Sequence, residues 1–147
     1  MPAPTASQLE GLATSAVQNA GIEGENANDL AKAMAATVAD ALNQFVSMGM
    51  VLPGIPAAAP PPPGSGSTAG PGMLAPPPAG GPHASAIEGI ASGHVQANGL
   101  QGEDANKIAA FMGQAMELAL MQFTSQVQVA PGIAIAGFTT TSPGSLI

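Results

Sequence analysis

Three clusters in this 147-residue chain contain residue types that could do chemistry. The first is the acid and amide run EGENAND, Glu23 to Asp29, which recurs as QGEDANK, Gln101 to Lys107. Oxygen donors at that density could hold a hard cation. The spacing does not fit a calcium loop, and the second run has no acid at the positions of Glu23 and Asp29. A capped helix start accounts for both runs, with Asn28 and Asn106 bonding local backbone. His83 and His94 form the second cluster. A metal site needs at least a third ligand, and none is obvious beside them. Each reads as a packed or partly exposed side chain. The third cluster is GSGSTAG, Gly64 to Gly70. It has no P-loop lysine, follows no buried strand and opens no helix, so it reads as turn or linker. It also lacks the spacing of a nucleophile elbow. With Cys and Tyr absent and no acid–base pair placed beside a cleft, no catalytic residue, metal site or cofactor is expected.

What the chain does have is a repeat. Residues Ala6 to Ile55 align without a gap on Ala84 to Ile133 at an offset of 78, and 23 of the 50 positions are identical. Glu10/Glu88, Gly21/Gly99, Asn28/Asn106, Phe45/Phe123 and Pro53/Pro131 are among them. Repeats of this kind argue for packing or assembly before chemistry. Each copy is near the size at which an isolated core becomes marginal, so the copies are expected to pack on each other or on neighbouring subunits.

Each copy predicts a helix, a tight turn, a longer helix and then extended chain. Leu9, Leu12, Ala13, Ala16, Val17 and Ala20 recur at helical spacing. Ser7 with Glu10, and Ser85 with Glu88, fit capping boxes. Gly21 and Gly99 stand where a left-handed residue ends a helix. The turns GIEG and GLQG are short enough to force antiparallel helix pairs. The second helix begins near Glu25 or Glu103, with acids in its first turn where the helix dipole favours them.

Beyond the helices the period changes. QVQVAPGIAIAGF alternates as a strand does, with a break at Pro131-Gly132. The first copy has VLPGIPAAAP there, and Pro56 with Pro60 to Pro63 predicts polyproline II. PPPAGGP, Pro76 to Pro82, reads as a connector that is neither helix nor strand. The expected organisation is a first helical hairpin over 1–55, an extended arm and linker over 56–82, a second hairpin over 83–133 and a C-terminal arm over 134–147. The fold class is mainly α, with two tandem hairpins, each followed by an extended or β arm, packed within an oligomeric assembly. The arms are expected to run over a partner's surface.

Composition points the same way. Charged residues make up 7% of the chain, against about 25% in an ordinary soluble domain. A surface so poor in charge resists association weakly. With a net charge of −7 and only Lys32 and Lys107 as cations, neither direct nucleic-acid binding nor attraction to anionic lipid is expected. No basic, apolar leader and no run of roughly 18 apolar residues is visible, so neither a signal peptide nor a membrane span is expected.

The candidate protein interface follows the apolar stripes. In the first copy it comprises Met34, Val38, Leu42, Phe45 and Ile55. In the second it comprises Phe111, Met112, Met116, Leu120, Phe123, Ile133, Ile135 and Phe138. Methionines at helical spacing serve a core or an adaptable binding face, and both involve protein contacts.

A short helical hairpin followed by PGI and a Ser/Thr/Gly tail ending in PG-x-L resembles small structural proteins of tailed bacteriophages. The residues concerned are Pro53-Gly54-Ile55 with Ser67 to Leu74, and Pro131-Gly132-Ile133 with Thr139 to Ile147. The resemblance implies a virion component of the tail or baseplate, or a capsid decoration, assembled in the host cytoplasm. It also implies a homo-oligomer, a trimer or another symmetric ring, in contact with other structural proteins. The alternative is a peptide- or protein-binding adaptor that uses the Met-lined helix face and proline-rich tethers.

Overall fold

A computed structural model describes residues 3–58, 64–136, 139–140 and 146–147. The protein is mainly helical, with small antiparallel sheets. Helices α1 (Ala6–Asn19), α2 (Ala27–Met48), α3 (Ala84–Ala97) and α4 (Ala105–Gln126) carry the body. The bounds of α3 and α4 are those of α1 and α2 shifted by 78 residues.

The helix ends show how local sequence sets these bounds. Gly21 and Gly99 adopt φ of +70° and +74°. Gly21 N–H donates to the Gln18 carbonyl and Ile22 N–H to that of Val17, and Gly99 and Leu100 repeat both bonds. This pairing satisfies carbonyls that a helix end leaves open. The N-terminal caps lie elsewhere than Ser7 and Ser85. Thr5 precedes α1, its N–H donating to Gln8 Oε1 at 2.9 Å. His83 precedes α3, and its Nδ1 accepts from Ala86 N–H at 3.4 Å. The imidazole thus does work that sequence reading gave to a serine. At the second helices, Asn26 and Asp104 hold the cap positions without a side-chain cap bond. Among the described residues, neither Asn28 nor Asn106 makes the side-chain bond to backbone expected of it. Asp29 lies in the first turn of α2, whereas that of α4 has no acid.

Helix α1 packs on α2, α2 on α3, and α3 on α4, with a lighter contact between α2 and α4. Helix α2 is therefore covered on two sides. Ala31, Ala35 and Ala39 are buried on one face, and Ala33, Thr37 and Ala41 on another. Small side chains at these positions let two neighbours approach one helix closely. Thr37 is 1% exposed, and its hydroxyl bonds back to the Ala33 carbonyl at 2.7 Å. Two apolar clusters fill the gaps. One joins Ala41, Phe45, Ile87 and Leu120, and the other joins Ala91, Ala109 and Met112.

The extended segments pair with one another inside the chain. Strands β1 (Ala57–Ala58), β2 (Ser65–Thr68), β5 (Ala134–Ala136) and β6 (Thr139–Thr140) form one antiparallel sheet in the order β1-β2-β5-β6. Strands β3 (Gly72–Met73) and β4 (Gln128–Val129) form a second sheet. Ser65, Gly66 and Ser67 face Ala136, Ile135 and Ala134. The two arms, expected to lie along partners, thus use each other as strand partners. At their junction Thr68 is 6% exposed. Its Oγ1 accepts from Ile133 N–H at 3.0 Å, and its carbonyl accepts from Gly132 N–H at 2.8 Å.

The copies also agree past the helices, where their sequences differ. A bridge joins Val51 to Leu74, and another joins Val129 to Leu146. Ala75 N–H donates to the Met50 carbonyl as Ile147 N–H does to that of Gln128. The connector PPPAGGP contains no helix or strand, but it is packed in place. Ala75, Pro77 and Gly81 are buried, and a Cβ on Gly81 would come within 2.8 Å of the Phe45 ring. The polyproline expectation for Pro60 to Pro63, Phe138, and the Pro143-Gly144 part of the C-terminal tail lie outside the described residues.

Two glycines in helices predict opposite responses to alanine. A Cβ on Gly113 would lie 2.6 Å from the Ala84 carbonyl oxygen, where α4 meets α3, whereas one on Gly89 would meet open space. Gly89→Ala should stabilise by about 1 kcal/mol through helix propensity. Gly113→Ala should lose roughly 1–3 kcal/mol to overpacking. Urea unfolding checks the pair, and shifts of the same sign would contradict this packing. At the arm junction, Thr68→Val keeps the shape but leaves the buried Ile133 N–H without an acceptor. It should cost about 1–3 kcal/mol in the same assay.

Candidate interaction surface

The candidate interface residues divide by burial. Phe45, Met112, Leu120 and Ile133 are buried inside the chain, at 7%, 8%, 3% and 9% exposure. They hold the fold together and offer little to a partner. Leu42 and Met116 pack against the first cluster and Met34 against the second. Ile55 and Ile135 are half-buried at the arms, Ile135 within the paired strand β5. Phe111 and Phe123 remain open, at 69% and 41%.

Helices α2 and α4 bring part of this set into one groove. Its walls are Met34, Thr37 and Val38 on α2, facing Phe111, Met112, Ala115, Met116 and Ala119 on α4. The space measures about 200 Å³ and is shallow and almost wholly apolar. Met34 and Met112 stand at equivalent positions of the two copies, as do Val38 and Met116. Thioether side chains can adjust to an irregular partner surface. Beside the groove the two aromatic rings of the repeat meet edge to face. Phe45 and Phe123 have centroids 5.8 Å apart and planes 79° apart, a geometry that favours aromatic pairs.

Sequence reading missed the outward apolar residues of α4 and α1. Leu118 is 61% exposed and Leu12 is 70% exposed. Leu12 was read only as part of the helical spacing of α1, and Leu118 was not singled out. For Leu118 the alignment carried a signal, because it stands over the charged Asp40.

The polar clusters contribute structure. His94 Nε2 lies 2.7 Å from Asp40 Oδ2, tying α3 to α2. Lys107 Nζ donates to Asp104 Oδ1 at 2.8 Å in an exposed pair within the start of α4. Gly64 to Gly70, read from sequence as turn or linker, instead contains strand β2, which pairs with β5. Among the described residues, no group of three or more His, Cys, Asp or Glu side chains could hold a metal ion. No described helix is long and apolar enough to cross a membrane. What the site offers chemically is apolar surface.

Comparison with known protein families, curated proteins and solved structures finds no match to this chain.

Burial orders the effects of truncation. Leu120→Ala should cost about 2–5 kcal/mol by opening a cavity in the first cluster. Phe111→Ser, at an open position, should stay within roughly 0.5 kcal/mol of the parent. Thermal unfolding of the two variants tests the division, and a large loss at Phe111 would place that ring in the core.

Proposed function

We propose that the chain is a non-enzymatic structural subunit of a large protein assembly, in which it self-associates and binds other components. The observation that carries this reading is the exposed apolar surface of α4. Phe111, Leu118, Met121 and Phe123 are all at least 41% exposed on one helix, in a chain with only 7% charged residues. Apolar patches on this scale mark interaction sites. By the resemblance of its PGI and PG-x-L segments, the assembly is a bacteriophage virion, with tail or baseplate favoured over capsid decoration. The doubled hairpin fits that setting, since one chain then supplies two similar packing units to a symmetric shell or ring.

A second reading is favoured by one observation, the methionine-lined groove between α2 and α4. It could take an apolar helix or peptide, as an adaptor would. Light scattering on the purified chain across micromolar concentrations distinguishes the two. The structural reading expects a mass of several chains that grows with concentration. A strictly monomeric chain throughout would remove self-association and leave the adaptor reading in its place.

A further inference from the structure

The chain shows how one exposed face is covered, because it covers the equivalent face itself. On α2 the face formed by Ala33, Thr37 and Ala41 is buried, at 0%, 1% and 0% exposure. Helix α3 lies against that side: Ala41 clusters with Ile87, and Asp40 is bonded to His94. Shifted by 78 residues, this face becomes Phe111, Ala115 and Ala119 on α4, all exposed. The α3 side of the junction, Ile87 and His94, becomes Leu9 and Ala16 on α1, the first half-buried and the second exposed, with exposed Leu12 between them on the same helical face. Each open face is therefore the counterpart of one half of a contact made inside the chain.

A polar pair at the rim of the junction sharpens the argument. Asp40 and His94 meet across α2 and α3 at 2.7 Å. Their equivalents are Leu118 on α4 and Ala16 on α1. Both members of the polar pair are replaced together by apolar residues. A face meant only for water has no reason to exchange an aspartate for a leucine. A contact surface does, when the histidine opposite has become an alanine and apolar contact takes the place of the ion pair. Helices α1 and α4 of the same chain make no substantial contact, so the junction does not close on itself within one molecule.

We infer that α4 of one chain receives α1 of a second copy, through a contact equivalent to the internal α2–α3 junction. The inference rests on the reading of the chain as a self-associating subunit and names the surface. The contact is head to tail, joining two different faces. It builds a ring if the rotation between copies closes and a filament if it does not.

Complementary variants test it. Leu12→Asp spoils the α1 face and Ala119→Asp the α4 face, both at exposed positions, and the equivalent of Ala119 in the internal junction, Ala41, is fully buried. Each variant should be monomeric by light scattering, with helical circular dichroism unchanged. An equimolar mixture should form a dimer, because one intact α1 face and one intact α4 face remain. That rescue cannot come from a general effect of added negative charge. In a parallel test on a chain with no native cysteine, Ala16→Cys with Leu118→Cys and a short bismaleimide should give a ladder of linked chains. Variants that assemble like the parent, a mixture that stays monomeric, or cross-links confined within one chain would each overturn the contact. If the parent assembles in these cases, only the contact falls. If the parent is itself monomeric, the self-association reading falls with it.

Discussion

Everything in this molecule depends on α2 being narrow enough to be covered twice. Its alanines and Thr37 place little more than a methyl group between the helix backbone and two neighbours. Small side chains bury little apolar area each, so the contact must gain from closeness, through many dispersion contacts at short range. The larger residues, Phe45, Ile87 and Leu120, then fill the space that the close crossing leaves at one end. A bulky residue at Ala41, which clusters with Ile87, would push α3 away and separate the two hairpins. At the equivalent place on α4 stands another alanine, Ala119, left exposed.

The arms solve a different problem. A strand of two to four residues has little stability alone, and a hairpin of such strands is marginal in water. Here the short strands join in series, β1 to β2, β2 to β5, and β5 to β6, so segments from both copies share one ladder. Thr68 and Ile133 hold its centre through both backbone and side chain. This cross-pairing commits the two halves to each other at a second place, far along the chain from the α2–α3 contact. The proline-rich connector is positioned by the same packing, with Gly81 under the Phe45 ring. Nothing in the described part of 64–82 behaves as a slack tether.

The functional reading follows from what remains uncovered. Of the polar groups that might have suggested metal binding, His83 caps α3, His94 meets Asp40, and Asp104 pairs with Lys107 at the surface. The groove and the outer face of α4 are apolar, shallow and continuous with the helix body. Those properties suit association between proteins.

Much of this was legible before folding. The order of a shorter and a longer helix, the glycine ends and the break at Pro131-Gly132 follow from local rules: helical period, left-handed backbone at Gly21 and Gly99, and strand alternation around Val127 to Ile135. The caps were misplaced by two residues, because Thr5 and Ser7 offer similar hydroxyls and His83 is not a usual cap. The pairing of Ser65–Thr68 with Ala134–Ala136 was not readable, since SGST carries no apolar alternation and its partner lies more than 60 residues away. The sequence alone determined that one 50-residue pattern occurs twice, with 23 positions identical, and which residues of each copy are apolar. Only the tertiary structure decided which of two equivalent faces is covered and which is left open. Local sequence sets the apolar stripe of a helix, but two copies of one stripe in a single chain present more faces than the chain has helices to cover.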